Sequence, residues 1–190
     1  MSDIKEGFTR VTSVFEPYTN FDAIDPVVLH RAANRGTRVH RYCELHMLGE
    51  YYPQPEEELV GYIDSFIQWY DKIVEKLICT EQRIYNNQYK LTGAIDIVAI
   101  LKGDKSPTII DIKTPASESK TWCLQTAAYR LLYNSKMDVK LHADRRIALR
   151  LDKKGGYPKI HEYTENGRDL RLYLSALEVY KYFKYGRGDE

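Results

Sequence analysis

The chain has 190 residues, 43% of them hydrophobic, and its 28 Lys+Arg stand against 27 Asp+Glu for a formal net charge of +1. This length suits one domain with its own core, and no apolar run reaches the roughly 20 residues that span a bilayer. The opening MSDIKEGF lacks the basic-then-apolar order of a secretory signal, so a cytoplasmic protein with no membrane partner is expected, and near-neutrality excludes one that coats nucleic acid by bulk attraction.

In chain order, Asp25-Pro26 is a good helix start, and Val28, Leu29, Ala32, Ala33, Val39, Leu45 and Leu48 follow at helical spacing, which predicts two helices interrupted near Gly36. After Pro53 and Pro55, PEEELVGYIDSFIQWYDKIVEKL carries acids in its first turn and an apolar stripe from Leu59 through Ile63, Phe66, Ile67, Tyr70, Ile73, Val74 and Leu77, which predicts a helix to about Leu77. Asn86-Asn87 between β-formers predicts a hairpin turn, leading into a strand over Leu91–Leu101. A polar turn at 102–107 then leads to a second strand, Thr108–Lys113, apolar on both faces as a covered strand is.

Helical spacing returns from Ser117 to about Asn134, and strands are predicted over Arg146–Leu151 and Pro158–Tyr163. A last helix runs from about Glu165 to Tyr185, with Tyr173, Leu177, Tyr180 and Phe183 as its packed face; its VYKYFKYGR stretch is also compatible with stacking on bases of a single strand. This order describes an α/β fold, a central mixed sheet flanked by helices. The expected division is a single unit, 1–190: a mainly helical lead-in over 1–80, a sheet core with the site over 81–165, and a C-terminal helix over 166–190.

Strand alternation puts Asp96 on the face of Val98 and Ile100, and Asp111 and Lys113 together on one face of the next strand. A carboxylate among Ile109, Ile110 and Ile112 costs several kcal/mol if buried unpaired, so Asp111 should face a metal, a cation or water. A hairpin that sets Asp96 beside Asp111 brings two carboxylates together, which repel unless a divalent cation lies between them. Oxygen ligands of this kind suit Mg²⁺ or Mn²⁺, and a lysine two residues on can serve the water that attacks a phosphodiester. Taken alone, IIDIK also reads as a structural Asp–Lys pair.

GAIDIVAI followed by IIDIKT resembles the D…(D/E)xK signature of the PD-(D/E)xK nuclease superfamily. Gly36-Thr37-Arg38-Val39-His40 resembles the GxxxH motif of its RecB-like branch, and Gln125-Thr126-Ala127-Ala128-Tyr129 resembles the QxxxY motif. Over about residues 30–135 order and spacing fit, and VTSVFEPY looks like the lead-in of phage and mitochondrial single-strand exonucleases of this branch. The resemblance implies a restriction-endonuclease-like core in which Asp96, Asp111 and the Ile112 carbonyl hold metal and Lys113 serves the water. By the same resemblance His40 ligates metal or contacts the scissile phosphate, Gln125 and Tyr129 hold the lysine or the DNA backbone, and Glu81 contacts the metal through water. Read singly, His40 is more often a structural histidine, Gln125 and Tyr129 are more often ordinary half-buried helix residues, and Glu81 is more often a surface acid; it is their order together that reverses this.

Relatives with an iron–sulfur cluster place four cysteines around this core; with only Cys43, Cys79 and Cys123, no iron–sulfur cluster is expected. Residues 101–160 hold 13 Lys+Arg against 6 Asp+Glu, a basic half that is either a phosphate-tracking surface or a solvated face. Arg38, Lys120, Tyr129, Lys153 and Lys154 are the residues expected to touch nucleic acid. The function implied is a metal-dependent DNA exonuclease acting on single strands or ends in phage-type replication or recombination; the alternatives are a structure-specific endonuclease and a non-catalytic DNA-end-binding scaffold. No Walker-type GKT is present, so a helicase, like a recombinase or a single-strand-binding protein, would be a separate partner.

Overall fold

The computed structural model describes residues 4–19 and 24–186, so Arg187 of the tyrosine–lysine stretch lies outside the described residues. A two-residue strand β1 (Thr9–Arg10) opens the chain, so the lead-in is not wholly helical, and a 3₁₀ turn over Thr12–Tyr18 buries Val14 and Phe15. Helix α1 (Pro26–Leu48) is started by Asp25, whose carboxylate accepts the Val27 N–H at 2.7 Å, and is stopped by Gly49 in the left-handed region. It is one continuous helix, not two. Glycine costs a helix about 1 kcal/mol against alanine, yet Val39 and Cys43, on the same helix, are fully buried, and this packing carries the helix through Gly36.

Helix α2 (Glu57–Ile73) buries Leu59, Ile63, Phe66 and Trp69. The helix predicted to reach Leu77 ends at Ile73, because β2 (Val74–Asn86) begins there and pairs antiparallel with β3 (Leu91–Leu101), from Val74↔Leu101 to Asn86↔Leu91. Val74 and Leu77 still pack against the core of α2, which is why helical spacing runs through them. Strand pairing wins at this point over periodicity. The turn between β2 and β3 falls where Asn86-Asn87 places it, with the Asn86 side chain accepting the Tyr89 N–H at 3.0 Å.

Beyond β3 come β4 (Thr108–Lys113), antiparallel to it, β5 (Arg145–Arg150), parallel to β4, and β6 (Lys159–Glu162), antiparallel to β5. Helices α3 (Thr121–Asn134) and α4 (Asn166–Tyr185) complete the chain. The mixed sheet is sandwiched: Ile84, Ile95, Val98 and Ile109 pack toward α3 and α4, whereas Ile97, Ala99, Ile110, Ile112, Ile147 and Leu149 pack toward α1 and α2. On α4, Tyr173, Leu177 and Tyr180 are buried as expected, but Phe183, one turn on, is 81% exposed and lines an open groove with Pro17 and Tyr18.

Strand β3 is interrupted along one edge. β2 occupies the other edge throughout, so β1, paired at Leu91 and Thr92, and β4, paired at Ile97, Val98 and Ala99, share the remaining edge and leave residues 93–96 between them with no strand partner. Behind the sheet, Arg146 of β5 is fully buried and ties three elements together: it donates to the Cys123 carbonyl and Thr126 Oγ1 on α3, to Asn166 Oδ1, and to the Asp169 carboxylate on α4.

Two helical glycines differ in what surrounds them. A Cβ on Gly36 would sit 3.6 Å from Thr114 Oγ1, an ordinary contact, whereas one on Gly61 would overlap the Lys153 carbonyl of the turn docked on α2. Gly36→Ala should therefore stabilise the fold by about 0.5–1 kcal/mol, the helix-propensity gain, while Gly61→Ala should destabilise it by about 1–3 kcal/mol despite the same gain. Denaturant unfolding of both variants checks the sign; a stabilised Gly61→Ala would mean that the 152–156 turn is not held against α2.

Candidate active site

The site forms where β3 and β4 part. Their ladder runs from Ala99↔Thr108 to Ile97↔Ile110 and goes no further. The next β4 amide facing β3, Ile112 N–H, donates instead to Asp96 Oδ2 at 2.7 Å, and the Ile112 carbonyl lies 3.2 Å from His40 Nε2. Asp96 therefore does not share the face of Val98 and Ile100, as plain alternation predicts; its carboxylate reaches across the gap toward the neighbouring strand. The alternation slips here: Ile95 and Val98, three residues apart, pack in one core, and Ile97 packs in the other. Opposite Asp96, between the pairs Thr80↔Ile97 and Gln82↔Ile95, Glu81 has φ 50, a left-handed conformation that L residues adopt at a cost of about 1–3 kcal/mol.

His40, Glu81 and Asp96 are thus brought together from α1, β2 and β3. His40 Nδ1 lies 3.5 Å from Glu81 Oε1 and 3.6 Å from Asp96 Oδ1, and one ligand atom of each residue lies within 4.8 Å of the others. Burial pushes the imidazole toward neutrality, but the Asp96 and Glu81 carboxylates outweigh it and hold His40 well above the usual histidine range. Burial likewise opposes ionisation of Asp96, and the His40 and Lys113 charges, with the Ile112 N–H, win and hold it below the usual carboxylate range.

Asp111 and Lys113 share one face of β4, as their spacing predicts. Asp111 is 1% exposed; its Oδ1 accepts Gln125 Nε2 at 3.2 Å, and its Oδ2 lies 2.6 Å from Lys113 Nζ in an ion pair. That Oδ2 nevertheless makes no hydrogen bond of acceptable geometry. Burial raises the Asp111 carboxyl to about 6, against the pull of Lys113. Gln125 serves both sides: its Oε1 accepts Lys113 Nζ at 2.9 Å, and its Nε2 also donates to Tyr129 Oη at 3.0 Å, one helical turn on. Burial keeps the Tyr129 phenol neutral. Trp122, which no motif marks, sits with its ring 5.8 Å from Lys113 Nζ; its position three residues before Gln125 on the same helix is the signal the sequence offers.

The donors suit a divalent cation: His40, Glu81 and Asp96 bring one imidazole and two carboxylates together, while Asp111 stands outside that group with its Oδ2 buried without a hydrogen bond, and the Ile112 carbonyl beside His40 is a further hard oxygen. The remaining expected residues scatter. Arg38 is paired with Glu56 and Glu58. Lys120 lines a cavity with Glu162 and Glu165 between α3 and α4. Lys153 lines a cleft of about 350 Å³ with Tyr62, Arg150, Tyr157 and Lys159, and Lys154 is exposed on the adjoining turn. The three cysteines are free thiols, Cys43 buried and the others partly so.

A mixed sheet between two helical layers, parted at a cluster of buried carboxylates, defines a restriction-endonuclease-like fold. The family model of the PD-(D/E)XK nuclease superfamily matches residues 25–179, and the chain belongs to that superfamily of metal-dependent nucleases. No curated protein matches the chain. Among solved structures it is similar to one described as the crystal structure of SSO0001, with 18% identity, a TM-score of 0.40, and coverage of 93% of this chain and 78% of that one. No helix among the described residues is long and apolar enough to cross a membrane.

The protonation states predict how stability responds to pH. His40 binds its proton more tightly folded than unfolded, so its contribution is complete below about 6.5 and is lost as pH rises through its raised value. Asp111, raised to about 6, likewise stabilises at low pH and loses that contribution as pH rises through this value. Asp96 acts in the opposite sense, losing its contribution as pH falls. A divalent cation on these donors needs His40 and Asp111 unprotonated, so its stabilising effect should grow with pH. Melting temperatures in EDTA and in Mg²⁺ or Mn²⁺, between pH about 6 and about 8, check this; a metal-induced shift that is flat across the range would show that neither group surrenders a proton to the metal.

Proposed function

We propose that the protein is a Mg²⁺- or Mn²⁺-dependent DNA exonuclease acting on single strands or strand ends, with Asp96, Asp111 and Lys113 as its catalytic residues. The observation that carries the reading is the convergence of Asp111, Lys113, Gln125 and Tyr129 in one hydrogen-bonded chain beside the His40–Glu81–Asp96 cluster. The metal, when bound, would be held by Asp96, Asp111, the Ile112 carbonyl and His40, with Glu81 reaching it through water, and would withdraw charge from the scissile phosphate and make a water nucleophilic.

The chain's own groups supply orientation. Gln125 Oε1 and the Trp122 ring hold the Lys113 ammonium, leaving Nζ to donate to the oxygen of the attacking water. Tyr129 fixes the Gln125 amide so that its Nε2 faces Asp111 and its Oε1 faces Lys113. As the water oxygen bonds to phosphorus it gives up a proton to solvent, the bond from phosphorus to the leaving sugar oxygen breaks, and that oxygen takes a proton from solvent.

Two features favour a single strand. The exonuclease lead-in resembled by VTSVFEPY forms the 3₁₀ turn at Thr12–Tyr18, and Thr12 lines a cavity that ends at Asp96. Asp96 and Asp111 are 7% and 1% exposed, and the cavities that touch Asp96 or its neighbours His40 and Glu81 measure about 240 and about 400 Å³. One flexible strand can bend into such spaces, whereas a stiff duplex resists it. By this reading any recombinase, single-strand-binding protein or helicase acts as a separate partner that supplies or consumes the strand.

End-labelled single- and double-stranded oligonucleotides and closed circles, incubated with Mg²⁺, Mn²⁺ or EDTA, test the proposal. Shortening from free ends that needs metal is expected, with circles spared. Asp111→Asn should abolish cleavage while binding persists, and Lys113→Ala should lower kcat by about 10²–10⁴-fold with little change in binding. Cut circles would indicate a structure-specific endonuclease, turnover in EDTA would sink the metal mechanism, and no cleavage in either metal would leave a DNA-end-binding scaffold.

A further inference from the structure

The unpaired stretch of β3 between β1 and β4 is the floor of a cavity of about 240 Å³. Thr92, Gly93, Ala94 and Asp96 form its base, Tyr129 its inner wall, and Arg10 and Arg83 also line it. Among the described residues Asp96 is its only carboxylate, and that group already accepts from Ile112 N–H. Arg10 of β1 and Arg83 of β2 make no ion pair and no side-chain hydrogen bond among the described residues, in contrast to Arg38, Arg41, Arg145 and Arg146, each paired with a carboxylate.

Backbone polarity adds a third donor. The Thr92 carbonyl faces the open edge, where Val11 N–H donates to it at 2.9 Å. Two residues on, by strand alternation, Ala94 turns its own N–H to the same edge, where no strand residue stands opposite. Two guanidiniums without acidic partners and a free amide, converging on one cavity, are the chemistry that binds a phosphate. The cavity adjoins the catalytic cluster directly: Asp96 belongs to both, and Arg83 stands two residues from Glu81 on β2.

We propose that Arg10, Arg83 and the Ala94 amide form a second phosphate subsite, which holds the phosphate next to the one being cut. The proposal rests on the nuclease reading above and adds to it the residues that set the register of the strand. The phosphate held is either an internal diester or the monoester at a strand end; both present the same anionic oxygens, and the substrates below tell them apart.

The test is binding of the full chain to fluorescent single-stranded oligonucleotides in EDTA over a range of salt, where no turnover is involved. Arg10→Ala and Arg83→Ala, singly and together, should each weaken binding several-fold and flatten the slope of log K against log salt by about 0.7 per lost contact. Arg10→Lys and Arg83→Lys, which keep the charge, should restore the slope and only part of the affinity, and unchanged melting temperatures would establish that the variants fold. If the loss is equal for circular, hydroxyl-ended and phosphate-ended strands, the subsite holds an internal diester; if it appears only with terminal phosphate, it holds the end. A double alanine variant with wild-type affinity and slope on every substrate would overturn the subsite, as would wild-type protein that binds none of them. Cleavage by the wild type in metal is scored separately, so the enzyme can stand while the subsite falls, or the reverse.

Discussion

The hydrogen bond from the Ile112 N–H to the Asp96 carboxylate takes the place of a rung in the sheet. Where a backbone carbonyl of β3 would continue the ladder, a side chain intervenes, and the two strands separate. Because the N–H and C=O of Ile112 point the same way, parting the strands also frees its carbonyl, and His40 reaches it from α1. One substitution of a carboxylate for a carbonyl therefore opens the cleft, aims a backbone oxygen into it and docks the helix that carries the imidazole.

Charge inside the cleft is balanced by the chain's own cations. Glu81, Asp96 and Asp111 face the His40 imidazole and the Lys113 ammonium, and in a medium of low dielectric such groups cannot stand alone. Gln125 touches both Asp111 and Lys113, so the distance between acid and ammonium is set by a neutral residue held in turn by Tyr129. The group that positions the lysine is therefore insensitive to pH, although the groups it lies between are not.

Much of this was legible because it is periodic or local. The two-residue spacing of Asp111 and Lys113 and the four-residue spacing of Gln125 and Tyr129 put each pair on one face, and those faces meet. Helix-forming spacing misled where two structures share it: Val74 and Leu77 keep the stripe of α2 while belonging to β2. Gly36 looked like a break because propensity is local, whereas the burial that overrides it at Val39 and Cys43 is tertiary. Asp96 stands in the motif, but strict alternation puts it on the wrong face, because alternation cannot foresee a slip opposite Glu81 in a left-handed conformation. Arg10 and Arg83 carry no signal of their own; only the junction of β1, β2 and β3 makes them neighbours of one cavity.

Arg146 contributes no atom to the cleft, yet it joins α3, the carrier of Gln125 and Tyr129, to Asp169 on the last helix. A buried guanidinium without its carboxylate costs about 3–5 kcal/mol, so the seat of α3 against β5 is tied energetically to α4. During synthesis from the N-terminus, every residue of the cluster leaves the ribosome before Asp169 does. The nascent chain thus holds its complete set of reactive groups before the carboxylate that receives the Arg146 guanidinium has been made.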